Sequence, residues 1–205
     1  MKRKYLFSLI IISVLLITSF AFAFAYIGKP TRSGSTTANM TIKNISNGLT
    51  MAYSGSTSLS LSISLDNLSS ATAKDDYSSY VSNSVSMAVK LTSSGDFTKG
   101  AKCNYVIKYT PTTKYNWTSN AKSKNLKELV VAGSGPASFE YNIGDLSSAT
   151  NVYSGSISTT NTTTVTQNWT IAMKFYNLNV DQAAALKQSP SGKITIEPTG
   201  CVANL

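Results

Sequence analysis

The sequence contains no histidine. That absence removes the imidazole base that activates serine and cysteine nucleophiles, and it removes the commonest metal ligand. Charge is also scarce, at 13% of residues, where an ordinary globular chain carries about a quarter. The nine acidic residues fall in no recognisable catalytic or metal-binding pattern. Asp75-Asp76 lacks the loop of a calcium site, and no pair is singled out for glycoside hydrolysis. Ser119-Asn120-Ala121-Lys122 matches the Ser-x-x-Lys spacing, but it lies in a basic stretch that reads as a loop. These absences exclude most enzyme classes, so the expectation is a non-enzyme with no cofactor and no metal. A disordered chain is excluded by the hydrophobic share of 42%. Serine and threonine supply the polarity that charges do not.

The first segment is the exception to this mild composition. Lys2, Arg3 and Lys4 are followed by an uncharged run from Tyr5 to Ile27. At about 1.5 Å per residue it is just long enough to cross a hydrocarbon core of about 30 Å. A basic start of this kind keeps the N-terminus inside and sends the remainder outward. Residues 1–28 therefore read as a signal peptide or an N-terminal membrane anchor. The small residues Ala21, Ala23 and Ala25 offer a cleavage site before Tyr26, whereas the length of the run favours a retained anchor. The predicted partner of residues 5–27 is the membrane. Residues 29–38 form a polar linker. Residues 39–205 are exported in either case, on a cell membrane or released to the cell surface.

The exported part alternates. Leu59, Leu61, Ile63 and Leu65 are separated by serines, and Val85, Met87, Val89 and Leu91 repeat the pattern. Cys103, Tyr105, Ile107 and Tyr109 form a third run, and Phe139, Tyr141 and Ile143 a fourth. Val165, Gln167, Trp169, Ile171, Met173 and Phe175 form a fifth. Period two marks half-buried strands. Met40 and Ile42 open the domain, and Ile194 and Ile196 close it. Gly- and Ser-rich turns fall between the runs. The fold class is all-β, an antiparallel β-sandwich over 39–205. Helical turns are expected only within 72–84 and, more strongly, from Val180 to Lys187.

Two features of the exported part invite a functional reading. Cys103 and Cys201 are the only cysteines; an even count outside the cell permits a disulfide, and two free thiols are the alternative. Lys114, Tyr115, Trp117, Lys122 and Lys124 form the densest basic and aromatic stretch, a candidate surface binding patch. Without its three N-terminal cations the exported part keeps a net charge of +6. An exported domain rarely meets nucleic acid, so that charge suits a cell-wall polymer, lipid head groups or a partner protein, with a merely solvated surface as the alternative.

The long apolar signal ending Ala23-Phe24-Ala25-Tyr26, the Ser/Thr-rich sandwich and the closing run from Trp169 to Leu178 together resemble the TasA and camelysin group. These are exported β-sandwich proteins of Gram-positive bacteria. The resemblance implies a jelly-roll-like sandwich; an Ig-like one is the other antiparallel form. It also implies a structural or adhesive role at the cell surface, as a subunit of biofilm matrix fibres. In such fibres an N-terminal strand completes a neighbour's sheet, and Thr36 to Ile45 would be that strand here. The metallopeptidase label of some members does not carry over, because this chain has no histidine and no zinc motif.

Overall fold

Alternation becomes architecture through two mostly antiparallel sheets packed face to face. A computed structural model describes residues 36–37, 40–46, 49–55, 57–65, 73–93, 100–160 and 163–203. Eleven strands are found there: β1 (Thr36–Thr37), β2 (Met40–Ser46), β3 (Leu49–Ser54), β4 (Thr57–Ser60), β5 (Tyr80–Ser93), β6 (Ala101–Thr113), β7 (Leu129–Ser134), β8 (Ser138–Asn142), β9 (Thr150–Thr159), β10 (Thr164–Tyr176) and β11 (Ser191–Ala203). The larger sheet runs β2-β3-β5-β10-β7-β8, with β1 added parallel to β5. The smaller runs β4-β11-β6-β9. From β4 onward the chain crosses between sheets at every step except the β7–β8 hairpin.

The buried faces are the predicted ones in the central strands. Val85, Met87, Val89 and Leu91 of β5 lie beside Trp169, Ile171, Met173 and Phe175 of β10, and Cys103, Tyr105, Ile107 and Tyr109 of β6 meet them from the other sheet. One polar thread crosses this core. Trp169 Nε1 donates to the Tyr105 hydroxyl at 3.1 Å, which donates to Gln167 Oε1 at 2.7 Å, and Gln167 Nε2 reaches Ser156 O at 3.0 Å. The buried polar atoms of this thread are thus satisfied across the sheet interface, as burial requires. Burial pushes the Tyr105 hydroxyl up to a pKa of about 12.

Several expectations are corrected. The Leu59 run is a strand only to Ser60; Leu61 and Ile63 stay buried after the chain leaves the ladder, and Leu65 is exposed. The segment 72–84 holds no described helix, because its second half enters β5 with Val81 turned toward the core. The stretch from Val180 to Lys187 yields only a single 3-10 turn, Ala183–Lys187. The basic loop after β6 instead contains a one-turn helix, α1 (Ser119–Ser123). Gly133 sits where Phe139 lies on the backbone, and an added Cβ would collide with the ring. Gly100 turns into β6 at φ +84°, a left-handed conformation that favours glycine.

The predicted segment 1–28 and most of the linker 29–38 lie outside the described residues. Among the described residues no helix is long and apolar enough to cross a membrane.

Candidate functional site

The stretch from Lys114 to Lys124 leaves β6 and closes one end of the sandwich. Lys114, Lys122 and Lys124 are exposed, but Tyr115 is buried against Phe175, their ring centroids 6.1 Å apart. Trp117 is half-buried and packs on the small cluster of Ala121, Val130, Ala132, Tyr176 and Leu178 that covers the outer side of β7. The structure therefore leaves these residues apart as a recognition surface: two rings face inward and three cations face out. Lys122 is also engaged, its Nζ 2.6 Å from Asp145 Oδ2. Asp145 accepts the Trp117 backbone N–H at 3.1 Å through Oδ1. The Lys122 hydrogen bond, aided by that N–H, holds the Asp145 carboxyl below its ordinary range.

A test follows from the sign of that shift. A depressed folded-state pKa stabilises the fold above the carboxyl's unfolded pKa, and the contribution is lost as pH falls through the folded value. Asp145→Asn is expected to cost less than about 1 kcal/mol at neutral pH, since Lys122 is exposed and Asp145 only half-buried, so solvent screens the pair. Urea unfolding measured from pH 7 down to pH 2 should show variant and wild type converging at the acid end. A gap that stays constant with pH would show that the ion pair contributes nothing.

A broader surface lies on the outer face of the larger sheet. Its rows follow from the register. Ser84, Ala172, Ala132 and Glu140 stand side by side across β5, β10, β7 and β8. Ser86, Thr170, Ser134 and Ser138 form the next row. Of these, Ser84, Ala132, Ser134, Ser138, Thr170 and Ala172 floor an open trough of about 660 Å³. Tyr80 stands at one end, 44% exposed. Lys174 Nζ lies 4.8 Å from the Tyr80 ring centroid and 3.4 Å from Glu140 Oε1. The Tyr176 hydroxyl also donates to Glu140 Oε1. Burial first, and then the Glu140 hydrogen bond and charge, raise the Tyr176 pKa. An aromatic face, a cation and a carboxylate beside a hydroxyl-rich floor are the groups that hold polyhydroxylated ligands.

Sequence reasoning missed a buried carboxylate. Glu128 is 0% exposed at the entrance to β7 and accepts hydrogen bonds from Thr118 and Gln182. Among the described residues no cation pairs with it. Tyr115 lies beside it, and burial first, then the Glu128 charge, raise the phenol's pKa far above its usual value. Cys103 and Cys201 face each other on β6 and β11 and are joined in a disulfide. Among the described residues no three acidic or cysteine side chains gather as a metal site would require.

Compared with known proteins, the chain matches no family model and no curated sequence.

Proposed function

We propose that the chain is an exported, non-enzymatic protein of the cell surface, structural or adhesive in role. Its N-terminal apolar segment either tethers it or is removed on export. The observation that carries this reading is the Cys103–Cys201 disulfide: the only two cysteines are paired, and paired cysteines belong to oxidising compartments. The likeness to TasA and camelysin adds a role in surface or matrix fibres. The strand order supports the jelly-roll form. From β4 to β11 eight strands fall into two four-stranded arrays, β4-β11-β6-β9 and β5-β10-β7-β8, joined by nested crossovers between the sheets, as in a double-sheet jelly roll.

The segment expected to complete a neighbour's sheet pairs within its own chain here, β1 on β5 and β2 on β3. It lies at the side of the larger sheet, outside the β4-to-β11 crossover pattern. A strand so placed is one that copies can exchange without disturbing the core. Protein recovered from its own cells should then form oligomers or fibres that grow with concentration in sedimentation velocity. The outer trough favours a second reading, a binding module for cell-wall carbohydrate. In that case the protein stays monomeric at every concentration and pellets with purified cell wall. Tyr80→Ala combined with Lys174→Ala should then abolish pelleting while leaving the unfolding midpoint within the small range of surface substitutions.

A further inference from the structure

Thr118, Glu128 and Gln182 are 5%, 0% and 8% exposed, and they meet although Gln182 lies 54 residues beyond Glu128 in the chain. Glu128 Oε1 takes two donors, the Thr118 hydroxyl at 2.7 Å and Gln182 Nε2 at 2.8 Å. Its Oε2 takes the Thr118 backbone N–H at 2.9 Å. Gln182 Oε1 is held in turn by the Leu178 backbone N–H at 2.9 Å, and Nε2 also donates to Tyr176 O at 3.0 Å. Thr118 stands just before α1, where a threonine hydroxyl ordinarily caps the helix. It makes no capping bond and gives its proton to Glu128 instead.

The arrangement has the parts of an acyl transfer. A hydroxyl nucleophile rests on a carboxylate base, a primary amide rests on the same carboxylate oxygen, and a backbone N–H is aimed at the amide oxygen. We propose that Thr118 and Gln182 form an intramolecular ester, with Glu128 as the proton carrier. Thr118 Oγ1 attacks Gln182 Cδ as its proton passes to Glu128. The carbonyl electron pair moves onto Oε1, where the Leu178 N–H receives the negative charge. The carbonyl then re-forms, the Cδ–Nε2 bond breaks, and Glu128 returns the proton to the nitrogen, which leaves as ammonia. The carboxylate ends as it began and no co-reactant is consumed. Attack requires the oxygen to close on Cδ to about 3–3.5 Å, and holding both groups on one atom is how such a reaction becomes effectively unimolecular. Burial keeps out the water that would hydrolyse the product.

The ester has a defined place in the fold. β6 and β11 pair over almost their whole length. The disulfide closes this pair at one end, near the start of β6 and the end of β11. Thr118 follows β6 and Gln182 precedes β11, so the ester closes it past the other end.

The test is a tryptic digest of the reduced, full-length protein taken from its own cells. Residues 115–122 and 175–187 should appear as one linked species, lighter than their sum by one ammonia, about 17 Da, as expected of an acyl transfer from an amide. Alkaline hydroxylamine should separate them. Glu128→Gln keeps the size of the side chain without the base and should return two unlinked peptides with an unchanged far-UV circular dichroism spectrum. Thr118→Ser should keep the link. Two separate peptides of unaltered mass in the folded wild type would overturn the proposal, as would ammonia loss confined to one peptide. Because the wild-type digest decides, a variant that fails to fold leaves the result standing.

Discussion

Trp169→Ala is expected to lower the unfolding free energy by about 3–5 kcal/mol. Trp169 lies near the middle of β10, the strand between β5 and β7. It is 1% exposed, and its ring contacts Tyr153 and Phe139 at centroid distances of 4.9 and 5.8 Å. Truncation removes the largest buried side chain and leaves a cavity between two sheets that are each tied by long ladders and cannot collapse freely. It also removes the donor to the Tyr105 hydroxyl, which keeps its own bond to Gln167. Trp169→Phe separates the two contributions. It preserves most of the packing and loses the N–H, so it should cost much less, nearer the roughly 1 kcal/mol of one hydrogen bond plus a small packing defect. Urea unfolding followed by far-UV circular dichroism measures both. An alanine variant within about 1 kcal/mol of wild type would contradict a core built on this ring.

The central strands that hold Trp169 are legible because each has one wet and one dry face. Where both faces are dry, the signal fails. β7 reads Leu129-Val130-Val131-Ala132-Gly133 without alternation, since α1 and the segment after β10 cover its outer side. β9 fails for another reason. Ile107 pairs with Tyr153 and Lys108 with Asn151, so Val152 is passed over in a bulge. The inward face changes there, leaving Val152 and Ile157 at a spacing no regular strand has. The Leu59 run shows the converse, a periodicity that continues past the last paired residue because Leu61 and Ile63 still plug the core.

The site divides along the same line. The wet serines and threonines of β5 and β10 can be placed on one face by counting, so the floor of the trough is implicit in the alternation. Its end is not, because Tyr80, Lys174 and Glu140 come from three strands whose order only the topology sets. Aromatic residues outside a periodic run carry no direction, so nothing in Tyr115 or Trp117 announces that both rings turn inward. Glu128 is the extreme case. An acid beside Lys127 reads as solvated surface, and the three donors that permit its burial come from a loop before it and a loop long after it. Buried polar networks of this kind are specified by long-range packing, which local composition does not encode.

Replacing both cysteines is expected to have an effect as large as losing Trp169. The bridge joins residues 98 apart in sequence, and the chain-entropy model puts the closure of so long a loop at about 4–5 kcal/mol, an upper value. The effect acts mainly on the unfolded chain, which without the bridge gains conformations the native state never used. The native side changes less. β6 and β11 stay paired through most of their rows, and only the rows beyond the irregularity at Pro198 and Gly200 depend closely on the bond. Cys103→Ser with Cys201→Ser should therefore keep the wild-type circular dichroism spectrum but unfold at markedly lower urea. Its dependence on urea should be somewhat steeper, because a freed chain exposes more surface. Reducing the wild type should reproduce the shift, and the double variant should ignore the reductant. Equal midpoints for oxidised and reduced wild type would mean that the ladder alone holds the two strands and that the bond contributes no stability.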